Sequence, residues 1–169
     1  MARLDPQPGD IVLSRISGAT GFLIALGQLL VGDASRYTHA GVVVEDGNVV
    51  EAEPGGARLG SVQYYLENKA VFATGRIPLT EEQRQKIVDE ATSLVGTPYS
   101  FVEYLAIGLH RFGLRLGCID RYITDSGHMI CSQLVDEVYR RAGVHLFNDG
   151  RLPQDVTPGD IANVLIEEW

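Results

Sequence analysis

The chain has 169 residues, 45% of them hydrophobic and 21% charged, which suits one domain with a buried core and is too short for two comfortable ones. A formal net charge of -8 and a pI near 4.9 remove the broad basic surface that phosphate backbones or anionic headgroups require, so no nucleic-acid partner is expected. The basic pairs Arg140-Arg141 and Arg111 with Arg115 are local and offset by acids.

Met1 to Gly9 holds an Asp and two prolines without an apolar core, unlike a secretory signal, and the expectation is a protein that is cytoplasmic as encoded. Reaching a cell wall would then need lysis, injection or a virion route. Pro8-Gly9-Asp10 is turn punctuation, and Ile11-Val12-Leu13 after it reads as a strand. Thr20 to Val31 has Phe22, Leu23, Leu26, Leu29 and Leu30 at helical spacing, with Gly32 as a stop. With Gln28 inside it, this run falls short of the roughly 20 apolar residues of a membrane span, so no transmembrane segment is expected.

Ala40 to Glu53 is β-branched on both sides of Asp46-Gly47-Asn48 and predicts a β-hairpin. Ala70 to Ile77 predicts a further strand, closed by Pro78. Thr80-Glu81-Glu82-Gln83 is a capping box, and Ile87, Ala91, Leu94 and Val95 continue one helical face up to Gly96. Helices follow over Phe101 to Phe112 and Ser132 to Ala142, the latter stopped by Gly143, and Thr157-Pro158 opens a last short one. Strands in the first half and helices mostly in the second give an α+β fold in a single domain over 1–169, with no repeat or linker.

The residues with chemistry are His39, Glu51 and Cys131. A three-residue loop of Asp46, Gly47 and Asn48 pairs Glu45 with Val49 and sets Val43 opposite Glu51; His39, Gly41, Val43, Glu51 and Glu53 then share a face. A two-residue loop puts Glu51 on the other face, and the sequence leaves both registers open. On a shared face Glu51 holds one imidazole nitrogen while the other points at a nucleophile. Gly127 to Ile130 is not helix-like, whereas Leu134, Val135 and Val138 have helical spacing, so Cys131 falls in a helix's first turn. Free amides and the macrodipole there favour a thiolate, and donors for an oxyanion lie beside it. Cys118 has no such cue, and both cysteines are expected to be reduced thiols.

Plainer readings compete. A single buried Cys is usually a small hydrophobe, and a single strand His a satisfied core or surface residue. His128 and Cys131 are too sparse a pair for zinc without two more ligands. His110 and His145 read as surface or packing residues, and Tyr64, Tyr65 and Tyr99 as core or rim.

Taken in order, Gly9-Asp10-Ile11-Val12-Leu13, Thr38-His39-Ala40-Gly41-Val42-Val43-Val44, Val50-Glu51-Ala52, Gly96-Thr97-Pro98-Tyr99-Ser100 and Cys131-Ser132-Gln133-Leu134-Val135 resemble the circularly permuted NlpC-type papain-like superfamily, nearest its YiiX/YaeF-like branch. There the His comes first, a polar residue on the next strand second and the nucleophilic Cys last. The resemblance implies a small antiparallel sheet or open barrel packed against a Cys-bearing helix. It makes Cys131 the nucleophile, His39 the base and Glu51 the third polar residue, with Glu53 a rival orienter. It also implies that Tyr99 lines the substrate site. The implied activity is that of a cysteine hydrolase, an amidase or peptidase on cell-wall or other short peptides, needing no metal or cofactor. A lipid acyl hydrolase or acyltransferase of the same fold is an alternative, and so is a non-catalytic binding module. A zinc protein built on His128 and both cysteines is a third reading.

Overall fold

The structure of the protein, a computed structural model, describes residues 6–16, 25, 28–29, 35–53, 56–68, 72–75, 77–98 and 131–167. Five strands form one sheet: β1 (Ile11–Ser14), β2 (His39–Val43), β3 (Asn48–Glu53), β4 (Gly56–Ser61) and β5 (Phe72–Gly75), in the order β4-β3-β2-β1-β5. Every neighbouring pair is antiparallel. Among the described residues the helices α1 (Val62–Asn68), α2 (Glu81–Ser93), α3 (Cys131–Arg141) and α4 (Pro158–Glu167) accompany it. This is the expected α+β arrangement, with a Cys-bearing helix packed on the sheet.

Side chains alternate across the pleat and divide the core in two. Ile11, Leu13, Ala40, Val42, Val50 and Ala52 join Ile87, Val88 and Ala91 of α2 and Leu134, Val135 and Val138 of α3 in the larger cluster. Val12, Val43 and Val49 point the other way and meet Val62 and Tyr65 of α1. In α1, Val62, Tyr65 and Leu66 stand three and four residues apart, so one short face covers the sheet. In α3, Cys131, Leu134, Val135, Val138 and Tyr139 form the continuous buried stripe of an amphipathic helix, which Ala142 extends just beyond its end.

The local stop and start signals hold. Thr80 accepts from the Gln83 amide at 3.2 Å while the Gln83 side chain accepts from the Thr80 amide at 3.0 Å, completing the capping box of α2. At α4 the Thr157 hydroxyl accepts from the Asp160 amide at 3.0 Å and the Asp160 carboxylate accepts from the Thr157 amide at 2.8 Å. Gly143 follows α3 at φ 78°, in the left-handed region that ends helices. The expected helix over Thr20 to Val31 lies mostly outside the described residues; Ala25, Gln28 and Leu29 are helical. The helix expected over Phe101 to Phe112 lies outside them altogether.

Two elements were not anticipated: β4 and α1. The strand Gly56-Ala57-Arg58-Leu59-Gly60-Ser61 carries two glycines and no β-branched residue, so its propensity is poor and pairing with β3 makes it a strand. Its outer edge is covered by Gly96 and Thr97: the Ala57 amide donates to the Thr97 carbonyl at 2.8 Å and the Gly96 amide to the Ala57 carbonyl at 2.7 Å.

The hairpin needs a correction. The turn residues are Glu45, Asp46 and Gly47, not Asp46 to Asn48, and Val43 pairs with Val49 while Gly41 pairs with Glu51. Asp46 (φ 59°) and Gly47 (φ 68°) take consecutive left-handed conformations, which short acids and glycine tolerate best. Asn48 is thereby freed to open β3, and its amide side chain donates to the Glu45 carbonyl at 3.1 Å. The expected partner of Val43 has moved by two residues, from Glu51 to Val49. An even slip leaves each side chain on its face, so His39 and Glu51 still share one.

Candidate active site

His39 is the first residue of β2 and Cys131 the first described residue of α3, and both are buried. Their side chains interact, even though Cys131 belongs to the larger cluster and His39 shares the opposite face of the sheet with Val12 and Val43. Glu51, from the middle of β3, lies diagonally from His39, and its carboxylate Oε2 is 2.8 Å from His39 Nε2. This leaves Nδ1, which is buried and has no nitrogen or oxygen partner among the described residues. The Cys131 side chain interacts with the same imidazole.

The imidazole is strongly perturbed. Burial pushes its pKa down, but hydrogen bonding and charge from Cys131 and Glu51 outweigh that and raise it from 6.5 to about 10. The ring is therefore held as an imidazolium between two acidic groups through the neutral range.

Glu51 is itself tightly held, by residues that the sequence did not single out for this. The Tyr65 hydroxyl donates to Oε2, and Arg58, directly opposite Glu51 in the β3–β4 register, donates to Oε1 at 3.2 Å. Two glycines make room for the carboxylate and its partners. A Cβ on Gly60 would lie 2.6 Å from Glu51 Oε1, and one on Gly41 would lie 2.7 Å from Val49 Cγ1 and 3.4 Å from Glu51 Cβ. Glu53, the rival orienter, instead takes the same guanidinium at 2.7 Å. The hydrogen bond to His39 is made by Glu51.

Arg58 and Tyr65 had no readable signal as site residues. Arg58 matters because of a strand whose sequence does not announce it, and Tyr65 reads as an ordinary core aromatic until α1 turns its hydroxyl onto the carboxylate. Tyr99, Cys118, His110 and His128 lie outside the described residues, as does any zinc arrangement using them. His145 lies beyond α3, in the loop that follows it.

Among the described residues one set of three metal-ligand types converges: His39, Glu51 and Glu53 have ligand atoms all within 4.8 Å of one another. The Arg58 guanidinium bonds both carboxylates of that set, so the positive charge a divalent ion would bring is already there. The donor set as it stands does not fit a metal.

An imidazole and a carboxylate on an antiparallel sheet, with a thiol later in the chain on a helix packed against it, are the groups brought together, and comparison with known proteins gives the family. Residues 5–106 match the family described as permuted papain-like amidase enzymes, YaeF/YiiX, and the chain belongs to that family. The match includes His39, Glu51, Arg58 and Tyr65 and stops before Cys131. A crystal structure described as metalloprotein yiiX from Escherichia coli O157:H7 shares the fold, with a TM-score of 0.62 and 22% identity, covering 89% of this chain and 78% of that one. No match was found among curated proteins. No helix among the described residues is long and apolar enough to cross a membrane.

Proposed function

We propose that the protein is a cysteine amidase in which Cys131 is the nucleophile, His39 the proton carrier and Glu51 the residue that orients His39. The observation that carries this reading is the division of the His39 ring, with Nε2 bonded to Glu51 and Nδ1 left for the thiol. The Cys131 proton rests on His39, and the thiolate attacks the amide carbonyl carbon. Backbone amides beside Cys131 are the donors proposed for the oxyanion. As the C–N bond breaks, the imidazolium gives its proton to the leaving amine, and an acyl-Cys131 thioester remains. Water then attacks the thioester while His39 takes its proton, and the carboxylic acid leaves with Cys131 restored.

The substrate class proposed is a short peptide or another small amide, with cell-wall peptides among the candidates. Esters and lipid acyl groups would pass through the same thioester. The metal that names the Escherichia coli relative is not carried over, because Arg58 stands where the three converging ligands would need a cation. No step runs through a metal.

The test is trapping with p-nitrophenyl acetate followed by intact-mass measurement, beside iodoacetamide alkylation from about pH 5 to 9, a range that brackets the ordinary thiol value near 8.5. Expected are a single acetyl adduct on Cys131 and rapid alkylation well below that value, both lost in C131S. Adducts confined to Cys118, or unchanged acetylation in C131S, would sink the assignment. An ordinary alkylation profile with no adduct would favour the binding module.

A further inference from the structure

Arg58 sits where two acids of different burial converge. Its Nη2 lies 3.2 Å from Oε1 of Glu51, a carboxylate only 2% exposed, and 2.7 Å from Oε2 of Glu53, which is 28% exposed. His39 completes the set, with ligand atoms of all three residues inside 4.8 Å. Two carboxylates and an imidazole form a donor set that zinc and other divalent transition metals accept. Two elements stand against an ion: the protonated His39 ring, which must give up its proton to become a ligand, and the guanidinium, a planar fork that bonds two carboxylates at once and stays charged at any working pH.

We infer that Arg58 is the resident cation of this pocket and keeps closed a His39–Glu51–Glu53 site that takes zinc or a similar divalent ion once the guanidinium is removed. Three observations carry this. Glu51 and Glu53 bring two carboxylates against the one positive charge of His39, so losing Arg58 leaves the group short of one cation, at a cost in free energy until another replaces it. The Arg58 side chain is 55% exposed, so removing it opens a route from solvent without unpacking the core. Glu53, at the rim, offers the first ligand an entering ion would meet. The inference is independent of which thiol is the nucleophile.

The experiment is a zinc titration by calorimetry on the full chain with both cysteines changed to serine, so that no thiol contributes a ligand. In that background R58A and R58Q are compared with the parent and with R58K, which keeps a cation, and circular dichroism checks folding. R58A and R58Q are expected to bind one zinc per chain at least about tenfold more tightly than the parent, a difference of about 1.4 kcal/mol. R58K is expected to behave as the parent does, and adding H39A to R58A to abolish the gain. A parent that already binds one zinc through His39 would overturn the inference. So would R58A and R58Q that bind no better than the parent.

Discussion

Glu51 and Asp160 are both buried carboxylates, and each meets an arginine and a hydroxyl. Glu51 takes Arg58 and Tyr65; Asp160 takes Arg151 at 2.6 Å and the Thr157 hydroxyl at 2.9 Å. They differ in the third partner. For Asp160 it is the backbone amide of Thr157, so its bonds serve to start α4, while Arg151 also lies 4.6 Å from the Phe147 ring centre. For Glu51 it is an imidazole with a second nitrogen still to use. Neutralising a buried acid with an arginine and a hydroxyl is thus a structural device, and the identity of the remaining partner decides whether chemistry can follow.

Substitutions should pull the two apart. The largest effect is expected for H39A, which removes the proton carrier and should lower acylation of Cys131 by about 10²–10⁴-fold, measured as single-turnover release of p-nitrophenol. E51Q should follow, with a loss of about 10-fold or more, whereas D160N should leave the acylation rate unchanged. In urea unfolding, D160N is expected to cost about 1–2 kcal/mol, the worth of a helix start and a partly buried pair. If D160N slowed acylation as much as E51Q, the contrast would collapse.

The pH dependence sharpens the same contrast. His39 is raised from 6.5 to about 10, so stabilisation by its protonated form is fully present below about 6.5 and is lost as pH rises through about 10. The rate of amide cleavage needs that proton for the leaving group and should fall on the alkaline side near 10. Removing the Glu51 charge takes away one cause of the raised value, so E51Q should move this limb to lower pH. D160N should not move it.

Smaller effects come from the surroundings. G60A places a methyl against Glu51 Oε1 and is expected to cost about 1–3 kcal/mol while slowing acylation, because the carboxylate must shift. T80A, at the start of α2, should cost about 1 kcal/mol by thermal unfolding with the rate unaffected.

What could be read from the sequence divides by range. Thr80 with Gln83 and Thr157 with Asp160 were readable as helix starts because each signal is complete within four residues. The shared face of His39 and Glu51 was readable as one of two alternatives; the register itself depended on whether Asp46 or Asn48 entered the left-handed turn, a choice of small energy between similar residues. Cys131 lies in a helix, as the change in pattern beside it suggested, and residues 99–130 before it lie outside the described ones. β4 was invisible because its glycines answer to Glu51 and Thr97 and not to strand propensity, and with it went the roles of Arg58 and Tyr65.

The Gln28 amide side chain donates to the Tyr37 carbonyl at 3.0 Å and accepts from the Gly159 amide at 2.8 Å, across 131 positions of sequence. Closing a loop on that scale costs more entropy than closing the β2–β3 hairpin, which spans a handful of residues and is complete early in the chain. During synthesis the imidazole and its carboxylate can therefore be paired long before the thiol-bearing helix docks and the chain's final helix is fastened. On the proposed reading, a truncated or unfinished chain would carry the base without a productive nucleophile, and hydrolytic competence would arrive as one of the last events of folding.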